Sequence, residues 1–249
     1  MKIAIVIIGL LIVLFIKQES FAVASGLNTD MREYIFESGH PGKCIGIIAG
    51  VHGNEPAGAI ELQYMIDSGY FTNVKSGSVR IIPSANPLGL KLNTRLNMLT
   101  DMNRIFTSDK LSPVAQKIVD FFKPCDIVID FHEGWGFHLK NSQSLGSTLC
   151  GNTPFAQTLA TKIVNNLNHT ELLGTLVKTG DYKKFTVLDR SRVCDIQNTL
   201  ACYKLNQNEH HILVETSGQN DVQPIWIRRA EVRIILDSLI KLLSVPESR

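Results

Sequence analysis

Two side chains suited to metal binding lie together in a glycine-rich segment near the start of the chain. Residues 50–58 read GVHGNEPAG and follow the apolar run CIGIIA, so His52 and Glu55 come directly after a predicted buried strand. Glycine permits the positive φ of a tight turn, and Pro56 suits the first position of a helix. We therefore predict a strand, a turn and a helix, with an imidazole and a carboxylate held in the turn. The alternative is a polar turn with an incidental histidine.

Two further strand ends carry side chains of the same kinds. His132 lies in CDIVIDFHEG, and Glu215 follows the apolar residues of HHILVETSG. Asp130 comes two residues before His132 and would share its face of a strand. A carboxylate that follows a buried run needs a partner, a solvated cleft or a metal ion. For His132 taken alone, the simpler explanation is a structural histidine.

Taken together, these strand ends predict one metal site. His52 and His132 with one of the two carboxylates make a three-ligand set whose fourth position is open to water, as in catalytic rather than structural zinc sites. The other carboxylate would then take a proton from the attacking water. We expect one zinc ion, although ligands of this kind accept other divalent metals.

The segment 85–107 adds charged side chains to this picture. Asn103 and Arg104 offer an amide and a forked guanidinium suited to binding a carboxylate. Arg95 would stabilise the oxyanion that forms when water attacks a carbonyl. Asp101 would accept a hydrogen bond from the outer nitrogen of a metal-binding histidine. The alternative for these residues is a solvated surface loop.

The elements that must position these residues alternate between strand and helix. Continuous apolar strands need cover on both faces, so we predict a single α/β domain over residues 25–249 with helices on both sides of a sheet. Two long segments, 85–111 and 179–209, are expected to be loops, which are often functional at that length. The expected strands are 44–50, 78–84, 125–131, 171–178 and 210–216, and the expected helices are 56–68, 112–122, 154–167 and 224–244.

The N-terminus predicts export. The chain has 249 residues and a net charge of +2 without a long basic block, so nothing favours nucleic-acid binding. Ile3 to Ile16 is an apolar run, shorter than the about 20 residues of a membrane span, and Ala22-Val23-Ala24 fits a signal-peptidase site. We expect residues 1–24 to be a signal peptide or, alternatively, a retained signal anchor. The protein would be periplasmic or secreted, with membrane contact only through an uncleaved N-terminal segment.

The five cysteines predict at most a small number of disulfides. Cys194 and Cys202 flank a polar loop and are the best candidate pair, whereas Cys44 and Cys125 lie in apolar runs and are expected to be buried thiols. A cysteine-rich zinc site is not expected because the sequence has no Cys-x-x-Cys.

Five motifs in order carry a family resemblance. They are His-Gly-Asn-Glu-Pro-x-Gly (52–58), Asn-Pro-x-Gly (86–89), Asp-x-Asn-Arg-x-Phe (101–106), Asp-x-His (130–132) and a late strand-borne glutamate at position 215. The region 44–217 resembles the succinylglutamate desuccinylase/aspartoacylase family of the zinc carboxypeptidase superfamily. The resemblance implies a mixed, mostly parallel central sheet between helices.

The resemblance also implies roles for individual residues. His52, Glu55 and His132 would be the zinc ligands, and Glu215 would be the general base and acid. Asn103 and Arg104 would bind a substrate carboxylate, Arg95 would polarise the scissile carbonyl, and Asp101 would support His52. Leu88 departs from the carboxypeptidase form of its motif, which usually has aspartate there. An assisting tyrosine has only two candidates, Tyr182 and Tyr203.

The resemblance predicts a zinc-dependent hydrolase that cleaves an amide bond near a free carboxylate, and specifically a deacylase. Because the chain ends soon after Glu215, we expect it to lack the additional carboxy-terminal domain of many deacylases. That expectation and the predicted export favour an alternative, a carboxypeptidase or amidase acting on peptides or murein stem peptides. A second alternative is an exported zinc-binding protein without turnover, and a membrane-anchored structural protein would bind no zinc.

Overall fold

The chain folds around one seven-stranded sheet. The structure is a computed structural model that describes residues 31–139, 143–171, 183–219 and 222–244. Residues 32–249 form one compact unit. The strands are β1 Tyr34–Glu37, β2 Cys44–Ala49, β3 Ser78–Ile82, β4 Ile127–Gly134, β5 Thr148–Gly151, β6 Thr186–Val187 and β7 His210–Ser217, and their order in the sheet is β1-β3-β2-β4-β7-β5-β6.

The sheet is mixed and mostly parallel. The central strands β3, β2, β4 and β7 run parallel to one another, whereas β1 is antiparallel to β3 and β5 is antiparallel to β7. At the outer edge, β6 pairs with β5 in parallel. Because β2, β4 and β7 are parallel neighbours, their carboxyl ends meet at one edge of the sheet.

Six α-helices lie within the described residues. Four of them begin with a proline, at a position where a missing N–H costs little, and four have an N-terminus capped by a side chain, that of Asn86, Ser112, Thr153 or Thr199. Short 3₁₀ turns cover Tyr70–Asn73, Met102–Arg104 and Arg190–Cys194. The helices are α1 Pro56–Asp67, α2 Pro87–Leu92, α3 Pro113–Phe122, α4 Pro154–Asn168, α5 Leu200–Asn206 and α6 Ile225–Ser244.

Helices cover both faces of the sheet, as predicted. Successive strand residues point to opposite faces, and Ile45 and Ile47 of β2 join the hydrophobic core that contains buried residues of α1, α4 and α6. Gly46 points to the other face, where an added Cβ would lie 2.7 Å from the ring of Phe122 in α3. The observed architecture confirms the predicted fold class.

Several predicted boundaries need correction. β4 begins two residues later than expected and continues to Gly134, so His132 and Glu133 lie within a strand. The segment 85–111 contains α2, and the described part of 179–209 contains β6 and α5, so neither is the continuous loop that we expected. Apart from residue 171, the predicted strand 171–178 lies outside the described residues.

The cysteine prediction is largely confirmed. Cys194 and Cys202 form a disulfide. Cys44 is a buried free thiol as expected, whereas Cys125 is partly exposed. Within the described ranges, no helix is both long and apolar enough to cross a membrane. The predicted signal segment, residues 1–24, lies outside those ranges.

Candidate metal centre and active-site cavity

The turn after β2 places the first two predicted metal ligands side by side. Gly50 takes a φ of +62°, which releases the chain from the strand, and Glu55 directly precedes α1. His52 Nδ1 lies 2.8 Å from Glu55 Oε1, and both side chains are buried. The predicted strand, turn and helix are therefore confirmed, and the turn holds both side chains at the carboxyl edge of the sheet.

His132 completes the cluster from the neighbouring strand β4. Its Nδ1 lies 3.1 Å from His52 Nδ1 and 2.8 Å from Glu55 Oε2. One donor atom from each of the three side chains falls within 4.8 Å of the others. The structure thus brings together His52, Glu55 and His132, as predicted.

Two aspartates fix the orientation of the imidazoles. Asp101 Oδ1 lies 3.1 Å from His52 Nε2, and Asp130 Oδ2 lies 3.2 Å from His132 Nε2. A carboxylate accepts a hydrogen bond, so each Nε2 carries the proton and each Nδ1 directs its lone pair at the other ring. The prediction for Asp101 agrees with this geometry, and Asp130 plays the matching part for His132.

This donor set fits a divalent cation. Two Nδ1 lone pairs only 3.1 Å apart cannot satisfy each other, but a positive ion between them and the Glu55 carboxylate would satisfy all three groups. The pKa shifts of His132 and Glu55 also indicate that this cluster favours a positive charge. Burial opposes protonation of His132, yet Asp130 and Glu55 raise its pKa well above the usual value. Burial likewise opposes ionisation of Glu55, but His132 and His52 lower its pKa to about 2.

Glu215 stands beside the cluster in β7. It is the parallel-strand neighbour of His132 and lines a cavity of about 380 Å³ together with His52 and Glu55. Removal from bulk water raises the pKa of Glu215 to about 8, and Glu55 and Asp130 add to this while His132 opposes it. A carboxyl group with such a pKa can both take and return a proton near neutral pH.

The predicted cationic residues also reach this cavity. Arg95 lies 3.3 Å from Glu55 Oε1 through Nη1 and 3.1 Å from Asp101 Oδ2 through Nη2. Arg104 and Asn103 line the cavity, and the Asn103 N–H donates to Asp101 Oδ1 at 2.9 Å. The surface-loop alternative for Arg95, Arg104 and Asp101 does not describe their positions, because Arg95 and Arg104 line the cavity and Asp101 contacts His52.

Other cavity residues could not be found from the sequence. Gln219 donates from its side-chain amide to Glu55 Oε1 at 2.9 Å and also to the Glu133 carbonyl. Arg192 comes from the 3₁₀ turn that leads into the Cys194–Cys202 disulfide, and Trp135 follows β4. One weak sequence feature indicates that Gln219 reaches the cavity, namely its position in the turn after Glu215. No sequence feature indicates this for Arg192, because a charged residue in a polar segment is ordinarily solvated.

Two polar residues after His132 lie in different surroundings. Glu133, which lies beyond the predicted strand 125–131, is a buried strand residue that borders the cavity and pairs through its carboxylate with Arg228 of α6. His138 does lie in the loop beyond β4, where its Nδ1 contacts the Ser144 carbonyl at 3.0 Å. Of the two candidate tyrosines, Tyr203 packs against Phe106 and does not line the cavity. Tyr182 lies outside the described residues.

Sequence comparison identifies the family. Residues 41–172 match the model of the succinylglutamate desuccinylase/aspartoacylase catalytic domain. This match spans more than half of the chain, and the chain belongs to this family. No curated protein matches the sequence.

Solved structures confirm the fold of the family. The tripeptide-bound cell shape determinant Csd4 from Helicobacter pylori superposes with a TM-score of 0.70 at 18% identity, covering 87% of this chain and 56% of that one. The product-bound ectoine utilization protein EutE (DoeB) from Ruegeria pomeroyi gives a TM-score of 0.59 at 13% identity, covering 88% and 62%. The chain therefore spans little more than half the length of the Csd4 chain.

Proposed function

We propose that this protein is a zinc-dependent hydrolase that cleaves an amide bond near a free carboxylate. The observation that carries the proposal is the position of Glu215, which lines the same cavity as His52 and Glu55 and is the strand neighbour of His132, the third of the convergent donors. A protein that only binds zinc would have no need of a partly buried carboxylate with a raised pKa beside the metal ligands.

Each side chain has a part in this reaction. Zinc held by His52, Glu55 and His132 would polarise the carbonyl and lower the pKa of water. Glu215 takes a proton from the attacking water and returns it to the nitrogen of the leaving amine. Arg95, already close to the metal ligands, donates to the developing oxyanion once it turns from Glu55 to the substrate.

The cavity also suits a carboxylate. Arg104 and Arg192 both line it and can donate to an anionic substrate, Arg192 in exchange for its ion pair with Asp195, which lines the same cavity. Asn103 is partly engaged, since its Oδ1 accepts from the Leu200 N–H at 3.4 Å, and its amide nitrogen remains suited to a substrate oxygen. A small molecule with a free carboxylate, or a peptide with a free end, fits this arrangement, and an N-acyl amino acid is our first choice because of the family.

A peptide substrate is the second candidate. One structure with the same fold is described as the mDAP-bound form of Csd4, a D,L-carboxypeptidase, with a TM-score of 0.70 at 18% identity. Together with the export predicted from the N-terminus, this likeness supports a carboxypeptidase or amidase that acts on murein stem peptides outside the cytoplasm.

Glu215→Gln tests the proposal. The full-length protein, loaded with zinc, is incubated with N-acyl amino acids and short peptides including muropeptides, and the products are followed by mass spectrometry. We expect the variant to lose a factor of about 10²–10⁴ in turnover, the usual contribution of a general base, while metal content by elemental analysis stays the same. Glu37→Gln on the exposed edge strand is the matched control and should behave like the wild type.

The outcomes separate the candidates. Release of an amino acid from an acylated one supports the deacylase, whereas cleavage of peptides alone supports the carboxypeptidase. Near-normal turnover by Glu215→Gln would show that the mechanism is wrong. A wild-type protein that binds zinc and turns over no substrate would instead be the zinc-binding protein considered above.

A further inference from the structure

Two free cysteines meet at the end of the sheet opposite the metal centre. Cys44 is the first residue of β2, and Cys125 lies just before β4. Their Sγ atoms are 2.9 Å apart. A disulfide bond joins sulfurs at about 2.05 Å, so the two atoms are within 1 Å of bonding distance. Neither residue takes part in the Cys194–Cys202 disulfide.

The backbone holds this pair in place. Asp126 N–H donates to the Cys44 carbonyl at 2.8 Å, and Cys44 N–H donates to the Asp126 carboxylate at 2.8 Å. The next residues, Ile45 and Ile127, are register partners in parallel β2 and β4. Bond formation therefore needs a small rotation of two side chains and leaves the sheet in register.

We propose that Cys44 and Cys125 are a redox-active pair that closes to a second disulfide on reaction with a small disulfide oxidant. The reaction is a thiol–disulfide exchange. One protein thiolate attacks the disulfide of the oxidant and releases one thiol, which leaves a mixed disulfide; the second protein thiolate then attacks the mixed disulfide and displaces the other thiol of the oxidant. Two protein thiols become one disulfide, and the oxidant, for example oxidised glutathione, is reduced to two thiols. No metal or cofactor takes part.

The surroundings of the pair favour this reaction. The hydrogen bond with Cys125 lowers the pKa of the Cys44 thiol, against the effect of burial, and Ser78 and Arg80 lower it further while Asp126 opposes them. Partly exposed Cys125 gives a small oxidant access to the pair. The third free cysteine behaves differently: burial raises the pKa of Cys150 to about 11, which keeps it protonated and unreactive.

Closure would tie together the two strands that carry the metal ligands. β2 leads to His52 and Glu55, and β4 carries His132, so a bond at their starts links both strands at the edge away from the cavity. The bond would close a loop of about 80 residues, a length at which disulfides constrain the unfolded chain strongly. We therefore expect greater resistance to unfolding and little change in turnover.

Thiol counting tests the pair in the full-length protein. The protein is equilibrated with oxidised glutathione, alkylated with iodoacetamide in denaturant and digested without reduction. Before oxidation three cysteines should be alkylated, and after oxidation only Cys150 should remain so, with a peptide that links Cys44 to Cys125. If both cysteines stay fully alkylated while Cys194–Cys202 remains closed, or if a glutathione adduct persists on either one, the proposal is overturned.

Two variants separate the pair from its neighbours. Cys125→Ser should retain glutathione on Cys44, because no second thiol can displace it, and oxidation should no longer raise its melting temperature. Cys150→Ser is the matched control, in which oxidation should still link Cys44 to Cys125 and raise the melting temperature by several degrees. An equal rise in both variants would assign the stabilisation to another site and contradict the proposal.

Discussion

Glu133 and Arg228 form an ion pair that is buried directly behind the metal centre. Glu133 in β4 is 2% exposed and Arg228 in α6 is 5% exposed. The same carboxylate accepts the N–H of Ala57 in α1 at 2.5 Å, and the Glu133 N–H donates to Glu55 Oε2 at 3.1 Å. Glu133 therefore joins two helices to a predicted zinc ligand through a single strand residue.

Removing Arg228 should destabilise the protein strongly. Arg228→Ala leaves Glu133 buried without its cation, and breaking a buried pair in this way costs about 3–5 kcal/mol. Denaturant unfolding followed by circular dichroism would measure the loss. Arg229→Ala is the control, because its partner Glu61 keeps an ion pair with Arg233. Equal, small losses in both variants would show that the Glu133 pair does not stabilise the fold.

Asp130 should tune the affinity for metal. Burial would raise the pKa of Asp130, but His132 and His211 lower it below the usual range, so it is a carboxylate beside the ring. Asp130→Asn weakens the hydrogen bond that His132 Nε2 donates, and the loss of such a hydrogen bond to a metal ligand usually reduces metal affinity about 10–100-fold. Competition with a chromogenic chelator would measure the metal affinity. Asp120→Asn on the exposed face of α3 is the control, and an unchanged affinity for Asp130→Asn would refute the role.

Arg104 should act on binding of the substrate more than on chemistry. It is one of the residues that line the cavity, and it lies in the 3₁₀ turn after Asp101. We expect Arg104→Ala to raise KM about 10-fold or more for a substrate with a free carboxylate, since charge-assisted hydrogen bonds contribute about 1.5–3 kcal/mol. Steady-state kinetics with the acid and with its amide would show the difference. A KM that rises equally for both would point to a change in cavity shape.

Glu231 should make stability depend on pH. It is fully buried in α6, and desolvation, helped by Glu133, raises its pKa well above the usual value, while Gln223 and Arg228 oppose this. An acid whose folded-state pKa is raised loses stability as pH rises from its unfolded value through its folded value. Glu231→Gln should therefore raise the melting temperature more at pH 8 than at pH 5.

The pH series needs its own control. Exposed Glu37→Gln should leave the melting curves at both pH values unchanged, because an exposed carboxyl has similar surroundings in the folded and unfolded chain. Scanning calorimetry at several pH values would measure both variants. If Glu231→Gln melts at the same temperature as the wild type throughout, the buried carboxyl does not limit stability at neutral pH.

Those parts of the fold and of the candidate site that depend on local sequence pattern could be predicted from the sequence. The apolar runs before His52, His132 and Glu215 predicted three parallel strands whose ends meet, and the structure places those side chains together. Three peripheral strands were missed because they are too short to show a period: β1 and β5 have 4 residues each and β6 has 2.

The remaining errors come from long-range partners. A glutamate directly after His132 indicates a loop, because burying it in a strand requires a cation, and that cation is Arg228, which lies 95 positions further along the chain. Gln219 and Arg192 were missed for the same reason. Gln219 contacts Glu55, 164 positions away, and Arg192 reaches the cavity from the 3₁₀ turn Arg190–Cys194, so both approach the site only in the folded chain.

Successive side chains of β4 point to opposite faces of the sheet, and this alternation restricts how the sequence can change during evolution. His132 points to the candidate metal site and Glu133 to the helices, so an inserted or deleted residue upstream in the strand would exchange their faces. The imidazole would then lie beside Arg228, and the carboxylate would enter the cavity. Length changes should therefore be excluded from β4 in functional descendants and be tolerated at the peripheral strand β6, which has only two residues to realign.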